Sequence, residues 1–350
     1  MPRIAILHRA DLISVHEEAL KMKATFEDEG WETDIIHYPK LTSISPNFKT
    51  YDKAIFWTAY TPFEVGSHRR FWNYRFSHSL ISYYVIEGIA KHMQSQQTFL
   101  NQQYIVTPSL FAKECIELTG VKVKEVIPHQ VDENQNIDHD FGVKWRDKYP
   151  HDKKLITYIG NPIRRKGLLE LREATDILSK KRNDFHVIIH TANQPTLQGY
   201  KITQLQHPNI TLELEFTKIP KSQALAKMYY SDIYVHPAKS EGFGLPVLEA
   251  LQLKKPLVCI NAPAVNEIAT PKNSFMTPYY EYVNATYYPN IIFREVNYYP
   301  KDLAFQLELA LTSSKDDIEN KIAEGLKTVQ RFRCTYKRFI NISQPSKKCA

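Results

Sequence analysis

The feature that most constrains this chain is an alternation of short apolar runs with amphipathic stretches, repeated in two series. In the first series, "RIAILH", "TDIIHY", "KAIFWTAY", "SYYVIEG", "QYIVTPS" and "KEVIPH" are rich in β-branched and aromatic residues, the composition of strands. Between them, "SVHEEALKMKATFEDEG" and "LFAKECIELTG" are helical. The first of these sets Val15, Leu20, Met22 and Phe26 among charges as an apolar face. After residue 150 the pattern restarts. "KLITYIGN", "FHVIIHT", "ITLELEF", "DIYVHPA" and "KPLVCIN" are strand-like, while "LLELREATDILSKK" and "SQALAKMYYS" are helical. Alternating elements of this kind predict parallel sheets with helices on both faces. Two series predict an α/β chain of two Rossmann-like, doubly wound domains facing across a cleft. The expected divisions are 1–150, 151–325 and a C-terminal helix and tail, 326–350, packing back on the first domain. "WRDKYPHDKK" is the expected linker.

Bulk properties narrow the class. Of 350 residues, 43% are hydrophobic and 24% charged, which is ordinary for a globular protein with a real core. No apolar run approaches the ~20 residues that span a bilayer. "MPRIAILHRADL" is too short and too charged for a secretory signal, so the expected location is cytoplasmic. Four scattered cysteines without a CxxC pair argue against a disulfide framework or a zinc site, and no other His/Cys cluster stands out. The net charge of +7 suits anionic ligands, phosphates or a membrane surface. No nucleic-acid motif is present. "SHRRFWNYRFSHSLISYY" mixes cations with aromatics. It reads as a helix, either half-buried or forming an acceptor wall or a peripheral membrane contact.

The informative residues follow strands, where doubly wound sheets bind ligands. In "DIYVHPAKSEGFGLPVLEAL" a strand runs into a glycine-containing loop and then a helix, with Pro246 suited to its first turn. The unpaired N–H groups of such a turn attract anions, and glycines let a phosphate or sugar approach the backbone. Glu241 in the loop and Glu249 one turn into the helix can face one site. Carboxylates accept paired hydroxyl hydrogen bonds, which suits sugar and ribose diols. The plain alternative is a capped helix with solvent-facing glutamates. An oxidoreductase reading of "GFGLPV" is disfavoured, because Val247 replaces the third glycine of the dinucleotide fingerprint. In "YIGNPIRRKGLLEL" a strand ends at Gly160, and Arg164, Arg165 and Lys166 precede a helix. That arrangement suits a diphosphate, or is a solvated basic loop. "DHD", residues 138–140, imitates a metal-binding DxD but lies in a polar loop, not at a core strand end.

Together these stretches resemble the retaining GT-B glycosyltransferases of the GT4 type (glycosyl transferases group 1). The likeness rests on Glu241-x7-Glu249 within "SEGFGLPVLEAL", on "IGN…RRKG", on Glu267 in "APAVNEIA", and more loosely on "YIVTPSLFAKECIELTG" and "VIPHQVD". It spans roughly residues 80–270. It implies transfer of a sugar from a nucleotide-diphosphate sugar to an acceptor hydroxyl, with no metal and no further cofactor. It implies catalytic roles for Glu241, at the donor sugar, and for Lys166 and Arg165, at the diphosphate. Donor contacts would come from Gly160, Asn161, Arg164, Phe243, Gly244, Leu245 and, at the ribose, Glu249. On the acceptor side it points to His8, Arg9, Glu87 and His129. The acceptor itself, whether glycan, lipid or protein, is open. The chain departs from the family at Asn161, where an arginine is usual; Arg164 or Arg165 is expected to supply that charge. Gln130 replaces a glycine of "pHGvD", Lys254 replaces the glycine of "CGKP", and "LHRADL" replaces a glycine-rich loop. Two alternatives stay open: a nucleotide-sugar epimerase on the same fold, and a non-catalytic sugar-binding or scaffold protein derived from it.

Overall fold

Ile4, Ala5, Ile6 and Leu7 are all buried, as a strand covered on both faces requires. They form most of β1 (Arg3–His8), second strand of a six-stranded sheet. The computed structural model describes residues 1–8, 13–37, 51–59, 80–132, 135–193, 196–197, 200–216 and 218–342. Contacts divide the chain into two units. One comprises Met1–Asp132, Thr286–Phe293 and Phe332–Ala350; the other comprises Glu133–Ala285 and Arg294–Arg331.

In the first unit, β1 is joined by β2 (Glu32–His37), β3 (Lys53–Ala59), β4 (Leu80–Val85), β6 (Tyr104–Thr107) and β7 (Glu125–Val126). The sheet order is β2-β1-β3-β4-β6-β7, and every pairing is parallel. The short β5 (Gly88–Ala90) stands apart from it. The helices are α1 (Ile13–Asp28), α2 (Lys91–Ser95), α3 (Gln97–Leu100) and α4 (Leu110–Glu117). Helix α1 buries Val15, Ala19, Met22 and Phe26 in the core with Trp57 and Tyr83. Leu20, expected on that face, is 42% exposed. It lies two residues, about 200°, from Met22 around the helix. Leu80–Tyr84, the end of the run "SHRRFWNYRFSHSLISYY", belong to β4 and are buried, as the strand-like "SYYVIEG" expects and a helix over the run does not. The remaining residues of that run, 67–79, lie outside the described residues.

In the second unit the order is β12-β9-β8-β13-β14-β15, again parallel throughout. These strands are β8 (Lys154–Ile159), β9 (Phe185–His190), β12 (Ile210–Glu213), β13 (Ile233–His236), β14 (Leu257–Ile260) and β15 (Phe275–Thr277). A small antiparallel pair, β10 (Thr196–Leu197) and β11 (Tyr200–Lys201), lies outside the sheet. The helices are α5 (His139–Arg146), α6 (Leu168–Ser179), α7 (Lys221–Tyr229), α8 (Leu245–Gln252), α9 (Pro300–Thr312) and α10 (Lys315–Gln330). Strand β16 (Glu281–Tyr288) precedes β17 (Ile291–Asn297), whose first residues, Ile291–Phe293, belong to the first unit and pair there with β5. Among the described residues, no helix is long and apolar enough to cross a membrane.

The division falls at residue 132, not 150, because the expected linker is not a linker. Trp145 is fully buried against Leu155 and Ile188, and its indole N–H donates to Glu213 at 2.7 Å. Those contacts fix α5 to the second unit. The C-terminal residues from Phe332 belong to the first unit. There Tyr336 and Phe339, the latter on α11 (Lys337–Asn341), join the core of α1.

Tyr336 also closes a buried polar network. Its hydroxyl donates to Glu18, and the Tyr83 hydroxyl donates to the Ile127 carbonyl at 2.8 Å. Both phenolic oxygens then lie within reach of His129 Nδ1, Tyr336 at 2.9 Å and Tyr83 at 3.1 Å. Each phenol has already spent its one proton, so the Nδ1 proton belongs to His129 and is shared between them. Burial pushes the His129 pKa down to about 4, against the pull of Glu18. Unfolded, the imidazole protonates near 6.5; folded, it resists until about 4. The stability it contributes is therefore complete above that unfolded value and is lost as pH falls through the window between the two. We expect unfolding free energy from urea titrations to fall between pH 6.5 and 4.5. His129→Gln should flatten that slope by about 1.4 kcal/mol per pH unit. An unchanged slope in the variant would contradict a buried neutral His129.

Candidate functional site

The second sheet starts at β8 and grows outward in both directions, through β9 and β12 on one side and β13 to β15 on the other. The crevice at the carboxyl ends of the two strands flanking such a reversal is where doubly wound sheets bind ligands. Here those strands are β8 and β13, and they carry the two loops singled out in the sequence.

The loop after β8 is fixed by short hydrogen bonds. The Gly160 N–H donates to the His190 carbonyl at 3.0 Å, and the Thr191 hydroxyl donates to the Gly160 carbonyl at 2.7 Å. The Tyr158 hydroxyl donates to the Asn161 carbonyl at 3.1 Å. A 3-10 turn, Arg164–Lys166, follows and ends at Gly167, whose φ is 69°. A Cβ at Gly167 would overlap the Pro237 carbonyl oxygen and the Tyr298 hydroxyl. Glycine is thus required twice there, for the left-handed backbone and for the close approach of the second loop. That loop is tied back by a hydrogen bond from the Lys239 N–H to the Arg165 carbonyl at 2.7 Å and by the Lys239–Glu170 ion pair.

At the meeting of the loops lies Glu241, which is buried. Lys166 Nζ bonds its Oε1, Arg165 Nη1 approaches its Oε2 at 3.2 Å, and His236 Nε2 reaches Oε1 at 3.0 Å. Arg165 also donates to the Ser240 carbonyl at 2.8 Å. Burial alone would raise the Glu241 carboxyl, but Lys166, Arg165 and the His236 hydrogen bond outweigh it and hold it well below the usual carboxylate range. Burial lowers His236, which is neutral at pH 7 despite Glu241 beside it. A neutral imidazole donating to a carboxylate carries its proton on Nε2. His236 Nδ1 is accordingly an acceptor, buried without a hydrogen-bond partner. Two cations thus face one carboxylate, and the cluster keeps a surplus of positive charge.

The chain then turns into α8 at Gly244, with φ 102° and Pro246 in the first turn. Phe243 is buried and Leu245 partly so. First-turn N–H groups have no intrahelical acceptor. Glu249 is half-buried on α8 and pairs with Lys221, at the start of α7, at 2.9 Å.

The structure thus brings Arg165, Lys166 and Glu241 into contact. Gly160 and Asn161 lie on the same loop, and Gly244 and Glu249 follow on the next. The two arginines face different ways: Arg165 is buried on Glu241, while Arg164 is exposed. On the acceptor side, His129 is in the core network described above. Glu87 is half-buried in the bend between β4 and β5. His8 is buried at the end of β1, and Arg9 lies outside the described residues. His236, Lys221 and Lys239 were not singled out in the sequence. His236 stands at a strand end just before "PAKSEGFG", the one local signal that marks it. "DHD" is a helix cap: the Asp138 carboxylate accepts the Phe141 N–H at 3.0 Å. The expectation of no histidine cluster fails. The parallel register of β1 and β2, with the first turn of α1, brings His8, His16 and His37 together.

Residues 143–280 match the family model described as Glycosyl transferases group 1. A Bacillus subtilis (strain 168) protein named as a teichuronic acid biosynthesis glycosyltransferase is 29% identical over 119 residues, 34% of this chain, and this chain spans 28% of its length. Among solved structures, sucrose-phosphate synthase from Thermosynechococcus elongatus superposes with a TM-score of 0.71 at 14% identity, covering 98% of each chain. Anabaena HepE in complex with UDP and glucose superposes with a TM-score of 0.73 at 14% identity, covering 97% of this chain and 99% of its own. At such identities the likeness is one of fold, and that fold is GT-B.

Gly167 gives a test of the loop geometry. Gly167→Ala should destabilise by about 2–4 kcal/mol in urea unfolding, the sum of backbone strain and steric overlap. Gly30 is the control, with φ 80° and no atom within 4 Å of the point where a methyl group would stand. Gly30→Ala should cost only the backbone term, about 1–2 kcal/mol. Equal losses would show that the two loops do not meet at Gly167.

Proposed function

We propose that this chain, which carries a glycosyl transferases group 1 domain over residues 143–280 within a GT-B fold, is a retaining glycosyltransferase. It moves a sugar from a nucleotide-diphosphate sugar to an acceptor hydroxyl. The observation that carries this reading is the ionised, buried Glu241 between Lys166 and Arg165 at the reversal of the second sheet. A carboxylate that stays charged is an acceptor of sugar hydroxyls and not an acid. The adjacent surplus of positive charge suits a diphosphate. The Anabaena HepE structure, described as a complex with UDP and glucose, supports a UDP-sugar as donor.

In this reading Glu241 fixes the donor sugar. Glu249, oriented by Lys221, receives the ribose diol. The N–H groups around Phe243, Gly244 and Leu245 line the sugar and phosphates. The acceptor oxygen forms a bond to the anomeric carbon from the face the nucleotide leaves. The bond from that carbon to the phosphate oxygen breaks, the diphosphate keeps the electron pair, and it takes the acceptor proton. Positioning and charge stabilisation of the leaving group are the protein's contribution. Lys166 turns from Glu241 toward the diphosphate, and exposed Arg164 supplies the charge that is missing at Asn161. Arg165 stays on Glu241. The donor side needs neither metal nor another cofactor.

Charge on the leaving phosphate grows in the transition state, so loss of Lys166 should appear mainly in kcat. Lys166→Ala is expected to lower kcat for nucleotide release by about 10²–10³, comparable to removing one preorganised oxyanion donor. Arg164→Ala should also lower kcat without changing stability, whereas Arg165→Ala should lower both. Three variants within about twofold of the parent, where such kinetic losses are expected, would remove the phosphate-site assignment.

Glu249→Gln should weaken binding of the free nucleotide by about 1–3 kcal/mol in calorimetry, through loss of a charge-assisted hydrogen bond. The parent should bind equally well with and without EDTA. Unchanged affinity in the variant removes Glu249 from the ribose, and nucleotide binding that requires added metal overturns the metal-free donor site. Recovery of a glycosylated acceptor, and not an epimerised free donor, separates transfer from epimerisation.

A further inference from the structure

The first unit holds a second cluster that the donor chemistry does not use. His8 ends β1 and His37 ends β2, and the two are direct partners in the parallel register. His16 lies in the first turn of α1. One ligand-capable nitrogen from each lies within 4.8 Å of the other two. The ring centroids are 4.7 Å apart for His8 and His37, 5.2 Å for His8 and His16, and 5.5 Å for His16 and His37. The three residues grade from buried His8 through half-buried His16 to exposed His37.

We propose that His8, His16 and His37 form a binding site for a divalent transition metal of the Zn²⁺ class. His16 Nδ1 and His8 Nε2 are separated by 3.3 Å. In a tetrahedral site with metal–nitrogen bonds of about 2.05 Å, neighbouring ligand nitrogens stand about 3.3 Å apart. One edge of the tetrahedron is therefore already at its final length. The third ligand nitrogen, on exposed His37, lies within 4.8 Å of the other two and must move closer to complete the site. Three imidazoles, joined by no carboxylate or thiolate among the described residues, favour zinc, copper, nickel or cobalt over magnesium or calcium. Three protein ligands also leave the fourth position open to water or a ligand oxygen. The trio lies at the carboxyl ends of β1 and β2, beside the reversal between β1 and β3, where ligands of such sheets dock. The proposal does not depend on the donor-site reading, since it concerns other residues in the other unit.

The test uses the full chain, freed of any affinity tag, in competition with a chromophoric zinc chelator. The parent should take up one equivalent of Zn²⁺. His16→Gln and His37→Gln should each weaken uptake by at least about tenfold, since loss of a direct ligand should exceed the 10–100-fold effect of losing a ligand's supporting partner. Neither side chain is fully buried, so both variants should keep the metal-free unfolding midpoint of the parent. His151→Gln, at an exposed position in the second unit, should bind zinc like the parent. In the parent, Co²⁺ should give the visible absorption of a four-coordinate site, and both trio variants should lose it. Absence of stoichiometric Zn²⁺ uptake by the parent, or parent-like uptake by both trio variants, would overturn the site and leave a simple imidazole contact.

Discussion

One carboxylate organises the second unit. Glu241 is buried among Lys166, Arg165 and His236, and a buried charge is tolerable only when it is paired and hydrogen-bonded. The requirement runs in both directions. Glu241 needs two cations from a loop 75 residues away, and that loop can deliver them only because Gly167 lets it approach Pro237. Of these cations Lys166 is the one that a sugar diphosphate would meet in the proposed function, while Arg165 keeps the carboxylate paired. Stability and proposed chemistry therefore rest on a single arrangement of charge.

The sheet explains why this cluster sits where it does. A parallel strand order that reverses at its first strand leaves two adjacent strand ends whose connections diverge. In the second unit those ends belong to β8 and β13. The polypeptide there must supply hydrogen bonds for loops that no neighbouring strand covers, which it does through Tyr158, Thr191 and Tyr298. The first unit repeats the topology between β1 and β3, and beside that reversal the ends of β1 and β2, with the first turn of α1, carry the histidine trio instead.

The strands were readable because parallel strands buried on both faces are continuously apolar. "RIAILH" and "KLITYIGN" became β1 and β8 almost residue for residue. The residues proposed for the donor side were readable as types at loop positions, but their partnership was not. Lys166 and Glu241 are brought together by β8 and β13 being neighbours, which no local pattern reports. The same holds for His8, His16 and His37, whose meeting depends on the register of β1 against β2. The unit boundary was misplaced because "WRDKYPHDKK" is polar around buried Trp145 and partly buried Tyr149, which both donate to Glu213, and two anchoring side chains in a polar run leave no periodic signal. The exposed Leu20 shows the reverse error, in which an apolar residue is assigned to a face that the helical angle denies it.

The nucleotide-sugar site proposed for the second unit should make the chain respond to nucleotide sugars. The most direct measurement is a thermal-unfolding series of the full chain against a panel of nucleotide-diphosphate sugars, with the matching sugars and nucleoside monophosphates as controls. A ligand that binds only the folded state stabilises it by about 2.7 kcal/mol at a hundredfold excess over its Kd. The expected result is a concentration-dependent rise in Tm with at least one nucleotide sugar, larger than with either of its parts. A flat Tm across the whole panel at millimolar concentrations would contradict the account.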